Sequence, residues 1–240
     1  MRDQPSRTPH GFARLTLQTR KLDELRTFYR EQFGMPVLAD GANSVTLKAG
    51  DTALTFEQTS DETIEPFFHF AFNIPENKLV SAKTWLSRRA KILSHHGHDE
   101  YDFRDWNAHA VYFWDPAGNL GELIARHDLA NANAGDFRGS DLLNVSEIGI
   151  VVDDVPTEAK SLKAALGVET YKGSASQSFE AIGDAHQLLI VVPVGRGWFP
   201  TGEKHAAAFP TMAEMRGPAT RTRAVAGKPY RVSIGNSKDA

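Results

Sequence analysis

The pattern of hydrophobic and polar residues predicts a strand–helix–strand–strand unit near the start of the chain. The two kinds of residue alternate over 13–17, which is the period of a strand with one covered face. Apolar residues then recur at helical spacing over 22–33, and Gly34 would end that helix. Two further strands are predicted over 44–48 and 52–58, joined by a tight turn.

The same unit is predicted again directly afterwards. It consists of a strand over 67–74, a helix over 77–88, and two strands over 109–114 and 119–125. A weakly patterned strand is also expected over 91–94. Two consecutive copies of one unit indicate a repeat architecture.

A third copy begins at Glu147. An ungapped shift of 133 residues places Gly34 on Gly167, and it places the Gly-Asp pair at 50–51 on the same pair at 183–184. Such coincidences within a short segment are hard to obtain by chance, so we interpret this segment as a further repeat.

We therefore expect an α+β fold of tandem βαβββ modules. A complete two-module domain would occupy residues 10–127, a linker rich in Asp, Asn, Gly and Ala would occupy 128–144, and a partial third module with an irregular C-terminal tail would occupy 145–240. The incomplete module would leave an open sheet edge, which is an aggregation hazard. We expect the tail or a second subunit to cover this edge, and hence a homodimer.

Composition and charge exclude several classes of function. The 240 residues include no cysteine, which excludes disulfides, thiolate nucleophiles and cysteine-type zinc sites. A net charge of −3 and a pI near 6.3 give no electrostatic case for binding nucleic acid or a membrane. The longest apolar run, 188–192, is far shorter than the ~20 residues that span a bilayer. Residues 1–6 lack the apolar core of a signal peptide, so a cytoplasmic protein is expected.

Three stretches of the sequence carry a resemblance to a known family. They are the end of the first predicted helix at 28–37, the strand at 68–75 and the hairpin at 111–123. Together they resemble the vicinal oxygen chelate superfamily, which includes glyoxalase I, extradiol ring-cleaving dioxygenases and fosfomycin- and bleomycin-resistance proteins. The resemblance implies a mixed sheet curved around a cavity, a divalent metal ion on its concave face, and a small oxygenated molecule as substrate.

The alternation of side chains along the strands supports this implication. In the strand at 67–74, the three phenylalanines share the face that a helix would cover, and His69 shares the opposite face with Asn73. The same alternation directs Glu122 and Glu57 to the opposite face of their own strands. We therefore expect these side chains to face the cavity, with Asn73 as a contact to substrate.

The resemblance places metal ligands on the first strand of each module and on its closing strand. In this chain those positions are Arg14, His69 and Glu122, with Glu57 as a fourth ligand or a base. Arg14 departs from the pattern, since a histidine is common there and a guanidinium stays protonated and cannot coordinate a metal. The corresponding position of the third module is Glu147.

Three functional hypotheses remain open at this stage. The first is an enzyme in which a manganese, nickel, zinc or iron ion chelates adjacent substrate oxygens while Arg14 meets a substrate oxygen. One histidine among carboxylates favours a non-redox ion, so lyase, isomerase or transferase chemistry ranks above dioxygenation. The second is a metal-free binding protein of the bleomycin-resistance type, in which Arg14 pairs with Glu122 or Glu57 and anchors an anionic ligand. The third is a dioxygenase whose second histidine is His10.

An aromatic stretch and a histidine-rich turn complete the set of candidates. The residues expected to form an aromatic wall for a planar substrate are Tyr101, Phe103 and Trp106. His95, His96 and His98 lie in a turn rich in Gly and Asp, which predicts a solvated loop. One of the three could still close over the cavity as an acid or base, because imidazole titrates near neutrality.

Overall fold

The computed structural model describes residues 11–218, 220–225 and 227–236, and in this part of the chain fourteen strands form two seven-stranded mixed sheets. The strands are β1 (Phe12–Thr19), β2 (Val37–Asp40), β3 (Ser44–Ala49), β4 (Thr52–Gln58), β5 (His69–Ile74), β6 (Tyr101–Phe103), β7 (Ala108–Trp114), β8 (Leu120–Arg126), β9 (Asn144–Val152), β10 (Glu180–Asp184), β11 (Gln187–Pro193), β12 (Thr211–Arg216), β13 (Arg221–Ala224) and β14 (Tyr230–Gly235). The helices are α1 (Leu22–Thr27), which continues as a π-helical turn over Phe28–Gln32, α2 (Leu79–Ser87) and α3 (Val155–Leu166).

The predicted α+β fold of tandem modules is confirmed. The first sheet has the order β13-β14-β12-β1-β4-β3-β2, and the second has the order β10-β11-β9-β5-β8-β7-β6. None of the helices in the described part of the chain is long and apolar enough to cross a bilayer.

The modules pair differently from the order in which they follow one another along the chain. The second module (β5–β8) shares its sheet with the third (β9–β11), through the antiparallel pair β5 and β9. The first module (β1–β4) instead pairs with the C-terminal strands, through the antiparallel pair β1 and β12. The two modules expected to form one domain over 10–127 therefore contribute their strands to different sheets.

The C-terminal tail is more regular than its sequence indicates. It carries β12, β13 and β14, and β14 lies parallel to β12 just as β4 lies parallel to β1. The tail thus acts as a helix-free fourth module and covers β1, not the third module. In the described residues, β10 remains an edge strand of the second sheet.

Local sequence accounts for most element boundaries. In α3, the Asp154 side chain accepts a hydrogen bond from the backbone N–H of Thr157 at 2.8 Å, which caps the first turn. Gly167 ends this helix at φ 71°, and Gly34 ends the first helical segment at φ 72°. The left-handed conformation favours glycine at both places, which explains why the two residues coincide in the repeat. The weak strand expected over 91–94 is reduced to a single bridge at Ile92.

Aromatic side chains from the first helical segment join the two sheets. The ring of Tyr29 stacks on Phe56 of the first sheet at 5.3 Å between centroids. The same ring lies 6.4 Å from both Phe70 and Phe72 of the second sheet. All four residues are buried, so one continuous apolar core holds the sheets together.

A buried carboxyl group closes the turn between β7 and β8. Asp115 accepts hydrogen bonds from the Tyr29 hydroxyl at 3.0 Å and from the Asn119 side-chain amide at 2.8 Å. The backbone N–H groups of Ala117 and Asn119 also donate to it, each at 2.9 Å. Burial nevertheless raises the pKa of Asp115 to about 6, because burial opposes the charged form more strongly than the four donors favour it.

This carboxyl group should make stability depend on pH. Its pKa of about 6 in the folded state exceeds the ~3.9 of an exposed aspartate. The folded state therefore binds the proton more tightly, and the free energy of unfolding should fall by roughly 2–3 kcal/mol as pH rises from about 4 to above 6. We expect Asp115→Asn to remove this fall, measured by urea denaturation at pH 4.5 and 7. An unchanged pH dependence in the variant would contradict the assignment.

Candidate metal centre

Three acid–base side chains converge on one face of the second sheet. His69 lies on β5, Glu122 on the neighbouring strand β8, and Glu147 on β9 on the other side of β5. One ligand atom from each lies within 4.8 Å of the others. All three side chains are buried, with at most 6% of their surface exposed.

Strand register explains why these residues meet. The parallel ladder between β5 and β8 pairs Ala71 with Glu122, and the antiparallel ladder between β5 and β9 pairs Ala71 with Glu147. The two carboxylates therefore flank a residue whose methyl group leaves space above the sheet. His69 lies two residues earlier on the same face, because side chains alternate along a strand. The site thus depends on three adjacent strands.

The histidine presents a lone pair to the carboxylates. Its Nδ1 lies 3.2 Å from the carbonyl oxygen of Leu120, and a carbonyl oxygen can only accept, so Nδ1 carries the hydrogen. The free Nε2 lies 3.7 Å from Glu122 Oε2 and 3.8 Å from Glu147 Oε2. A backbone carbonyl that fixes the tautomer in this way is typical of metal-binding histidines.

Glu122 contributes an unpaired oxygen to this centre. Its Oε2 is buried and has no hydrogen-bond partner among the described residues. Burial, and next the nearby Glu147, raises the pKa of Glu122 well above its ordinary value, while a hydrogen bond from Tyr112 acts in the opposite direction. A buried carboxylate oxygen without a donor, facing an imidazole nitrogen and a second carboxylate, fits a divalent cation.

The third module lacks a ligand where the second module has Glu122. The ladder between β9 and β11 pairs Gly149 with Ile190, which corresponds to the pair of Ala71 with Glu122. Ile190 lines the cavity but has no donor atom. Among the described residues the site therefore offers three candidate ligands, and a metal ion held by them would keep coordination positions open for substrate oxygens.

A buried arginine adjoins the three ligands. The guanidinium of Arg126 forms an ion pair with Glu147, and its Nε donates to Asn73 Oδ1 at 3.1 Å. The same guanidinium lies over the rings of Trp106 and Tyr171, at 5.4 and 5.6 Å from their centroids. Asn73, predicted to contact substrate, is thus buried beneath the site and orients this arginine.

The structure separates the other two predicted site residues from this centre. Arg14 lies in the first sheet, where its Nε is 3.7 Å from Glu214, and 54% of its side chain is exposed. Glu57 lies in the same sheet and pairs with Gln18. Neither lines the cavity next to His69. The sequence-based set of Arg14, Glu57, His69 and Glu122 is therefore split between two sheets.

In the described ranges the first sheet offers no comparable ligand set. Its ladders put Arg14, Thr55 and Met212 where the second sheet has His69, Glu122 and Glu147. The carboxylate that approaches His69 from the neighbouring strand β9 belongs to Glu147, the residue that the 133-residue shift aligns with Arg14. His10, the alternative histidine ligand, lies outside the described residues.

An aromatic cavity of about 660 Å³ opens above the three ligands. Phe103 and Trp106, two of the residues expected to form an aromatic wall, line it, whereas Tyr101 does not line it and has its ring 4.8 Å from that of Phe199. Of the histidine-rich turn, His95, His96 and His98 are exposed and do not line the cavity.

A segment after β11 closes the cavity with side chains that the periodicity did not single out. Trp198 packs on Gly149, where a Cβ atom would lie 2.7 Å from the indole, and its ring lies 5.0 Å from that of His69. Phe199 and Arg196 line the cavity beside it. The only sequence feature that could have indicated this role is an aromatic pair close to an arginine, in a segment without the period of a strand or a helix.

Comparisons with known proteins agree with this geometry at the level of the fold. A candidate dioxygenase from Bacillus subtilis matches 96% of this chain and 86% of its own, with a TM-score of 0.60 at 12% sequence identity. Glyoxalase I from Zea mays matches 95% of this chain and 93% of its own, with a TM-score of 0.54 at 15% identity.

This chain has the vicinal oxygen chelate fold. The resemblance inferred from residues 28–37, 68–75 and 111–123 is thereby confirmed for the fold. No protein-family model matches the sequence, and no curated protein does.

Proposed function

We propose that this protein is a divalent-metal-dependent enzyme that acts on a small molecule with two adjacent oxygen atoms. The observation that carries the proposal is the buried set of His69, Glu122 and Glu147, in which one carboxylate oxygen has no partner among the described residues. A bound divalent ion would supply Lewis-acid stabilisation of negative charge on a substrate oxygen. A homodimer and a cytoplasmic location remain predictions.

The protein's own residues have separate tasks in this proposal. Leu120 holds His69 in the tautomer whose Nε2 is free. Arg126 neutralises part of the negative charge at Glu147, while Glu122 has the raised pKa and must lose its proton to bind a cation. Trp198 excludes water from one side of the centre. One histidine with two carboxylates supports isomerase, lyase or transferase chemistry ahead of dioxygenation.

A second candidate function is metal-free binding of a small anion. It is favoured by Arg126, whose Nη1 is buried and has no hydrogen-bond partner among the described residues. In this alternative the guanidinium serves as the cation of the site, the role that the sequence suggested for Arg14. The carboxylate of Glu147 already occupies one side of Arg126, which leaves less positive charge for a ligand.

The test is metal content together with access of a chelating ligand. We expect wild-type protein reconstituted with manganese(II) to hold about one ion per chain by elemental analysis, and His69→Ala to hold less than a tenth of that amount, since it removes one of three ligands. Acetohydroxamate, which offers two adjacent oxygens, should alter the electron paramagnetic resonance spectrum of the manganese in the wild-type protein.

Two outcomes would reject the enzyme proposal. Substoichiometric metal in wild type after separate reconstitution with manganese, nickel, zinc and iron(II) would favour metal-free binding. If manganese binds stoichiometrically but its electron paramagnetic resonance spectrum does not change with acetohydroxamate, no adjacent coordination positions are open to substrate.

A further inference from the structure

One cationic side chain of the cavity has no carboxylate partner in the part of the chain that the structure describes. Arg104 pairs with Asp102 at 3.0 Å, and Lys172 pairs with Asp128. Arg196 also lines the cavity, yet none of the described carboxylates lies within ion-pair distance of its guanidinium. Its positive charge is therefore the least neutralised among the cations that line the cavity.

The surroundings of Arg196 withdraw it from water without supplying an anion. The side chain is partly buried, and its guanidinium lies over the ring of Phe179 at 5.4 Å from the centroid. Burial lowers the pKa of Arg196 from its ordinary value, with no opposing contribution from a nearby acid. A partly desolvated cation gains most from an anion that arrives in the same cavity.

The cavity that Arg196 shares with His69, Glu122 and Glu147 has several aromatic walls. Trp106 lies 6.3 Å from Phe179 between ring centroids, and Phe103 lies 5.9 Å from Phe199. Trp198 covers His69 on a further side. Flat apolar rings on several sides favour a flat apolar body between them.

We propose that Arg196 anchors a carboxylate or other anionic group of a planar aromatic substrate. The flat part of the substrate lies against Trp106, Phe103 and Phe179. The part of this inference that directs the opposite, oxygen-bearing end toward His69 and the two glutamates rests on the proposed function. The preference for an aromatic anion itself does not require a metal.

The test compares an anion with its neutral counterpart of nearly the same shape. The probes are 2-naphthoate and 2-naphthamide, titrated by calorimetry into the full chain, once after removal of metal by chelation and once with added manganese(II). Metal-free wild type should bind naphthoate at least tenfold more tightly than naphthamide. Arg196→Gln should abolish this preference, and Arg196→Lys should keep part of it.

Arg104→Gln is the matched control, since Arg104 also lines the cavity but is 89% exposed and paired with Asp102. We expect it to change naphthoate affinity less than twofold. Circular dichroism and thermal melting establish that each variant is folded. If Arg196→Gln melts below the wild type, the folded Arg196→Lys variant is compared instead, and its naphthoate preference should fall below that of wild type.

Three results would overturn the assignment of Arg196. The first is that wild type binds naphthoate and naphthamide equally well or binds neither. The second is that both Arg196 variants keep the wild-type preference for naphthoate. The third is that Arg104→Gln loses as much naphthoate affinity as Arg196→Gln. The proposed function fails separately. If manganese never binds but the naphthoate preference depends on Arg196, the inference stands and the metal-dependent enzyme is rejected.

Discussion

Glu122→Gln should abolish binding of a divalent ion while leaving the fold as stable as that of the wild type. Burial and the nearby Glu147 raise the pKa of Glu122 and so oppose its charged form, and the substitution puts a neutral amide of similar shape in its place. The loss of one anionic ligand out of three should lower affinity for manganese(II) at least a hundredfold. Calorimetric titration of manganese measures this loss, and urea denaturation measures stability.

The matched control is Glu57→Gln, because the sequence offered Glu57 as a fourth ligand or a base, but it lies in the other sheet. We expect wild-type manganese affinity in this variant. If Glu57→Gln loses the metal and Glu122→Gln keeps it, the centre is not the one that the second sheet assembles. If both keep it, neither residue is a ligand.

Arg126→Met should destabilise the metal-free protein by about 3 kcal/mol or more, and manganese should reverse a large part of the loss. The variant keeps an apolar side chain against Trp106 but leaves Glu147 buried without its cation. Removing one partner of a buried ion pair is strongly destabilising, because it leaves an uncompensated buried charge. An ion at a concentration of 100 times its dissociation constant stabilises the folded state by about 2.7 kcal/mol. Without Arg126 the ion also meets the full negative charge of Glu147, so thermal melting with and without manganese should show a larger shift in Arg126→Met than in wild type.

Arg14→Met is the control for loss of an arginine, since the ion pair of Arg14 with Glu214 is long and largely exposed. Its effect on stability should stay within about 1 kcal/mol. If Arg126→Met melts at the wild-type temperature and manganese does not raise that temperature, Arg126 is not neutralising a metal ligand. Loss of anionic-ligand binding in the same variant would then support the metal-free function.

The sequence identified the parts of the site that depend on local geometry. His69 and Glu122 were both placed on the cavity face because side chains alternate along a strand, a property that needs no information from the rest of the chain. The buried Phe70 and Phe72 follow from the same alternation. The turn at Asp115 was also recognised, although its burial and its hydrogen bond to Tyr29 were not.

The sequence could not rank Arg14 against Glu147 as the partner of His69. The two residues occupy the same position of their modules, and Glu147 was noted for that reason. Which of them meets His69 depends on whether β5 pairs with a strand of the first module or of the third. Contacts between distant segments decide this pairing, because β5 and β9 form a ladder although the rest of the second module and the linker separate them along the chain.

The sequence by itself thus determined the α+β class, the repeated module, and the face of each strand that bears the candidate functional side chains. These features follow from periods of two and 3.6 residues and from turn residues such as Gly34 and Gly167. The tertiary structure alone decided which modules share a sheet, and so assembled His69, Glu122 and Glu147 while leaving Arg14 at the surface. It also brought Trp198 and Arg196 over the site from a segment without periodicity. Such a segment carries no local signal of its position, because the neighbours that fix it, such as Gly149, are distant along the chain.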